Sequence, residues 1–252
     1  MIPTGIQAGL WGLLAGSALL LGAGLGYFIP IRQRIVASIM AFGSGVLISA
    51  LSLDLMLEAY ERGGFDSTAI GFLGGAAVYS LANWVLSRRG AKHRKRSGEQ
   101  QHSEATKAGS GLALAIGALV DGIPESIVIG VSLLGGQGVN LITVIAIFLS
   151  NLPEGLSSSA GMKTAGRSAR YVFGLWGGIA LTSGAAALLG YYVFGQFSEE
   201  VIAATTAVAA GAILARLADT MMPEAFEDAH EFTGLITAVG FLAAFVLNRL
   251  AE

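Results

Sequence analysis

Two short stretches share one arrangement of reactive groups: a polar residue, a proline three positions on and a glutamate at the fourth. The first is Asp121-Gly122-Ile123-Pro124-Glu125 and the second Ser150-Asn151-Leu152-Pro153-Glu154. Residues i and i+4 of a helix share a face, so Asp121 is expected to project with Glu125 and Ser150 with Glu154. Neither proline has an N–H to give. The carbonyls of Val120 and Leu149 therefore lose their helical donors, and each helix kinks beside its carboxylate. Carboxylates, hydroxyls, the Asn151 amide and freed carbonyls are oxygen donors, the kind of set that holds a hard cation. Asp121, Glu125 and Glu154 are the candidate metal ligands, with Ser150 and Asn151 as weaker oxygen ligands.

Both motifs sit in stretches apolar enough to span a bilayer. Starting one helix at Gly109 and an antiparallel one at Val139 places Glu125 ~24 Å and Glu154 ~22 Å from opposite surfaces, at ~1.5 Å per residue. In a bilayer ~40–45 Å thick with its headgroups, both reach the midplane. A carboxylate there costs ~2.5–3.5 kcal/mol on insertion scales, so its default reading is functional. The bland alternative is a pair of proline kinks whose glutamates bond neighbouring helices.

The rest of the chain has the character of a multi-pass membrane protein. Of 252 residues, 54% are hydrophobic and 13% charged, and mean hydropathy is +0.67, which excludes an ordinary soluble domain. Thirty-six glycines suit close helix approach in lipid. There is no cysteine, which excludes thiolate metal sites and disulfides. Eight apolar runs are expected to cross the membrane: 5–29, 35–60, 66–87, 109–134, 139–163, 170–195, 199–225 and 233–250. They form one all-α domain over 1–252, and 5–29 is read as a retained span rather than a cleaved signal, having no basic residues before it.

Charge sets the orientation. Arg32 and Arg34, the seven basic residues Arg88, Arg89, Lys92, Arg94, Lys95, Arg96 and Lys107, and Lys163, Arg167 and Arg170 would lie on one side. Positive residues mark the cytoplasmic side, which places both termini outside the plasma membrane. Residues 88–108 read as a basic cytoplasmic linker that sets topology. His93 and His102 within it could instead deliver metal.

Positions in the second and seventh runs match at an offset of 166: Gly45 with Gly211, Leu51 with Leu217, Met56 with Met222, Glu58 with Glu224, Ala59 with Ala225 and Glu61 with Glu227. The two runs cross in opposite directions, so the repeat is inverted, a common plan of secondary transporters. Asp54 and Asp219 are candidate pathway or gating residues. Arg216 lies ~13 Å from the inner end of its run, at ~1.5 Å per residue, and needs a partner at that depth. Asp219, at i+3, would make a fixed ion pair. Glu125 or Asp121 would instead make Arg216 a tethered cation at the metal site.

These features resemble the ZIP (Zrt/Irt-like) family of divalent-metal transporters. The resemblance rests on the eight runs, the paired Pro-Glu motifs, the Met-Met-Pro-Glu ending of the seventh run and the Asp-Leu-Met-Leu-Glu-Ala ending of the second. It implies eight transmembrane helices, with helices 1–3 and 6–8 forming an inverted repeat around helices 4 and 5. It further implies inward transport of a divalent cation by alternating access, zinc by family habit. An all-oxygen site also suits Mn²⁺, Fe²⁺ or Mg²⁺. Where the family has His-Asn before the first Pro-Glu, this chain has Asp121-Gly122. The family's helix 6 glutamate aligns with Leu181, and Asp219-Thr220 replaces an acidic or His-Glu pair. One metal rather than two is therefore expected, and the alternative function is a non-transporting or regulatory relative. No HExxH, GxSxG or Ser/His/Asp set exists, so no enzyme is expected. The expected partners are the bilayer, the divalent cation and a second copy as a homodimer, with no nucleic acid.

Overall fold

Long runs of Leu, Ala, Ile and Val, interrupted mainly by glycine, satisfy their own backbone only as helix when water is excluded. Every regular element among the described residues is helical. The computed structural model describes residues 2–92, 94, 110–135 and 138–251. Its principal helices are α1 (Thr4–Phe28), α2 (Gln33–Ala50), α3 (Met56–Leu86), α4 (Ser110–Ser132), α5 (Leu141–Thr164), α6 (Ala169–Phe194), α7 (Glu199–Arg216), α8 (Met222–Ala229) and α9 (Thr233–Ala251). Side-chain caps start two of them. Asn140 accepts from the N–H groups of Ile142 and Thr143, and Ser168 accepts from that of Tyr171. Pro124 and Pro153 lie inside α4 and α5 without ending them.

Among the described residues, seven helices are long and apolar enough to cross a membrane. The expected runs 35–60 and 66–87 merge into one of the seven, Gln33–Arg89, of 57 residues. It is broken at Gly64, whose φ of 68° and ψ of −173° are not helical. Glycine takes that conformation without a Cβ clash. Along this stretch α2 packs on α9, and α3 on α7. A second group forms where α1 packs on α5 and α6, and α4 packs on α6. Contacts of α2 with α5 and of α4 with α7 join the two groups.

Glycine permits the closest of these approaches. A Cβ on Gly45 of α2 would overlap the carbonyl oxygen of Thr237 in α9, and one on Gly211 of α7 would overlap that of Phe72 in α3. Between apolar helices in lipid, such packing supplies much of the association energy. The two glycines are 166 positions apart. So are two π-helical segments, Leu51–Leu55 after α2 and Leu217–Met221 after α7.

Candidate functional site

Helix α4 contributes Asp121 and Glu125, α5 contributes Glu154, and α7 ends on Arg216. All four side chains are buried, and Arg216 is only 1% exposed. The Arg216 guanidinium bridges the two Pro-Glu motifs. Its Nη2 donates to Glu125 Oε1, and its Nη1 donates to Glu154 Oε2 at 3.3 Å and to the Asp121 carbonyl at 3.4 Å. The fork of a guanidinium suits two carboxylates arriving from different helices. Asp219 is not its partner: Asp219 is exposed and accepts from Asn83 Nδ2 at 3.4 Å.

Asp121 shares a helix face with Glu125, yet its carboxylate serves another arginine. Arg94 Nε donates to Asp121 Oδ2 and Arg94 Nη2 to Asp121 Oδ1, both at 3.0 Å. Tyr79 Oη donates to the same Oδ1 at 2.7 Å and accepts from Arg94 Nη2 at 2.9 Å. Arg94 Nη1 donates to Asn83 Oδ1 at 2.8 Å. Burial works against the charged guanidinium, and the Asp121 carboxylate more than offsets it, so the pKa of Arg94 stands above the ordinary arginine value.

The chain itself enters the bundle at this point. Ala91 is fully buried and Arg94 is 4% exposed. The Arg94 carbonyl accepts from Ser158 Oγ of α5 at 2.6 Å. Gly117 of α4 makes room for the side chain, since a Cβ there would stand 2.7 Å from Arg94 Cδ. The start of the 88–108 segment is thus part of the packed structure, a correction to its reading as a linker. His93 and His102 lie outside the described residues.

The remaining candidates bond other groups. Ser150 Oγ donates to the Ile147 carbonyl of its own helix at 2.9 Å. Asn151 Nδ2 donates to the Ala15 carbonyl of α1 at 3.0 Å. Asp54 accepts from Asn248 Nδ2 at 2.7 Å and lines an open cavity of about 540 Å³ with Glu58, Glu61, Arg62 and Ser132. Leu181 is 68% exposed and does not face the site. The α6 residues beside Gly122 are Ile179 and Ser183, which corrects the placement drawn from the alignment of motifs. Ser157 Oγ, three positions after Glu154, donates to the buried Glu224 at 2.9 Å.

Among the described residues, no group of three or more His, Asp or Glu is placed to hold a metal ion. The arrangement holds positive charge by another means, with one guanidinium on two glutamates and a second on an aspartate. Arg94, Tyr79, Asn83, Ser157 and Glu224 were absent from the candidate ligands. The sequence signals for Glu224 were its match with Glu58 at the 166 offset and its place at the end of Met221-Met222-Pro223-Glu224. Neither any protein-family model nor any curated protein matches the chain.

Proposed function

We propose that this protein is a multi-pass membrane carrier that moves a divalent cation towards the cytoplasm by alternating access, on a plan like that of the ZIP transporters. The observation that supports it most directly is the convergence of Glu125 and Glu154, from the two proline-containing helices, on a single cationic group. A pair of carboxylates held this way is a cation site, and its present occupant belongs to the protein. Zn²⁺ is the first candidate, with Mn²⁺, Fe²⁺ and Mg²⁺ next, because carboxylates serve all four.

The crossing number in this reading is eight. Fifty-seven helical residues would measure ~85 Å, twice the ~40–45 Å of a bilayer, so Gln33–Arg89 crosses twice and turns at Gly64. The π segments and close-packed glycines at an offset of 166 support an inverted repeat, in which α2 on α9 and α7 on α3 are equivalent contacts. Arg88 and Arg89 then lie at the cytoplasmic side, and the cavity lined by Asp54, Glu58 and Glu61 opens to the outside.

The second reading, a non-transporting relative, is favoured by one observation: Arg216 already fills the carboxylate pair. Uptake by purified protein in liposomes separates the two. The carrier reading expects saturable accumulation of at least one of the four cations, lost in Glu154→Ala. Folded protein that accumulates none of them above empty liposomes would establish the second reading.

A further inference from the structure

Arg216 holds Glu125 and Glu154. A third acid, Asp219, lies three residues on along the same helical course, is exposed, and among the described residues accepts a hydrogen bond from Asn83 Nδ2 at 3.4 Å. The backbone between them is not a regular α-helix, because the π-helical segment Leu217–Met221 begins immediately after Arg216. Such segments are frequent at functional sites, where they ease local rearrangement. The guanidinium is also incompletely bound where it lies, since its Nε has no hydrogen-bond partner among the described residues. A fixed structural arginine at this depth would be expected to satisfy all of its donors.

We propose that Arg216 is an exchangeable internal counter-cation: the transported metal displaces it from Glu125 and Glu154, and Asp219 receives it. This rests on the carrier reading above and adds its exchange step. The charge changes are consistent. Counting only these three side chains, the pair carries one net negative charge with Arg216 on it; with a divalent cation there instead, it is neutral. The displaced guanidinium meets a carboxylate rather than lipid, so the metal-bound state leaves no arginine unpaired at bilayer depth. Arg216 belongs to α7 and its glutamates to α4 and α5, so the exchange also releases a contact between the two helix groups.

The test is calorimetric titration of the full chain in detergent with zinc chloride and with manganese chloride. Four proteins are compared: wild type, Arg216→Ala, Asp219→Asn and the double variant. Removing the internal competitor should tighten binding about tenfold or more, and removing its receiving site should weaken binding about threefold to tenfold. The double variant should bind like Arg216→Ala, because Asp219 matters only while an arginine needs it. A purely structural Arg216 would not make the effect of Asp219 depend on it. Wild-type affinity in folded Arg216→Ala, or independent additive effects in the double variant, would overturn the exchange and leave the carrier reading standing. If Arg216→Ala aggregates, Asp219→Asn decides alone: it is exposed and expected to fold, and unchanged affinity in it rules the exchange out. No binding by any of the four would sink the carrier reading itself, and the exchange with it.

Discussion

At Arg94 the guanidinium reaches Asp121 through two nitrogens, and Tyr79 and Asn83 complete the network at 2.7–3.0 Å. At Arg216 one guanidinium is shared by two glutamates, one contact is 3.3 Å, and Nε donates to nothing among the described residues. Both arginines are buried. The first cluster resembles a finished joint and the second a joint that changes partners. Burial and charge alone would have graded them the same. What separates them is how fully each donor is used, because a saturated network has nothing to gain from rearrangement.

The comparison breaks most visibly when each arginine is removed. Arg94→Ala leaves the Asp121 carboxylate buried without its guanidinium and should cost ~3–5 kcal/mol, seen as a large fall in thermal midpoint that added metal does not reverse. Arg216→Ala should also lower the midpoint of the metal-free protein. Millimolar zinc or manganese should restore it, because a ligand that binds only the folded state stabilises by mass action. Equal rescue of both variants, or of neither, would erase the distinction. A smaller effect is expected from Tyr79→Phe, which removes the hydroxyl that donates to Asp121 and accepts from Arg94 but leaves those two paired, and should cost ~1.5–3 kcal/mol, with metal affinity unchanged. Smallest is Ser150→Ala. Its hydroxyl bonds its own helix, so a change within ~0.5 kcal/mol and unaltered cation uptake are expected. A large loss of uptake in Ser150→Ala would return this residue to the ligand set.

Much of the second cluster was legible in the sequence. Glu125, Glu154 and Arg216 are ionisable residues in apolar runs, rare enough to stand out, and the alternative partners considered for Arg216 included Glu125. The first cluster was not legible. Arg94 is one of seven basic residues in a polar stretch, where positive charge already has a sufficient explanation in topology. Its role depends on a chain reversal that carries it inward beside Gly117 and Ser158. Asp121 was assigned to the glutamates because i and i+4 share a face. Those positions still differ by about 40° around a helix of 3.6 residues per turn, enough to send the two side chains to different neighbours. The Gly63-Gly64 pair marked the division between runs. That helix continues up to Gly64 and resumes at once was not readable from composition, because glycine marks breaks without giving their length.

The contacts of Arg216 span 91 residues to Glu125 and 62 to Glu154, and in both the arginine is made second. Synthesis at ~5–20 residues per second puts each glutamate in the nascent chain ~3–18 s before its counter-ion. During that interval the two Pro-Glu helices have entered the bilayer while α7 is still on the ribosome. Their acids must cross as neutral, protonated groups or remain near the headgroups, since an ionised carboxylate in hydrocarbon is costly. Membrane insertion of α4 and α5 should therefore be more efficient when Glu125 and Glu154 are changed to Gln in chains truncated before Arg216. That advantage should shrink in chains long enough to include α7, a difference that glycosylation-site reporters of insertion would resolve.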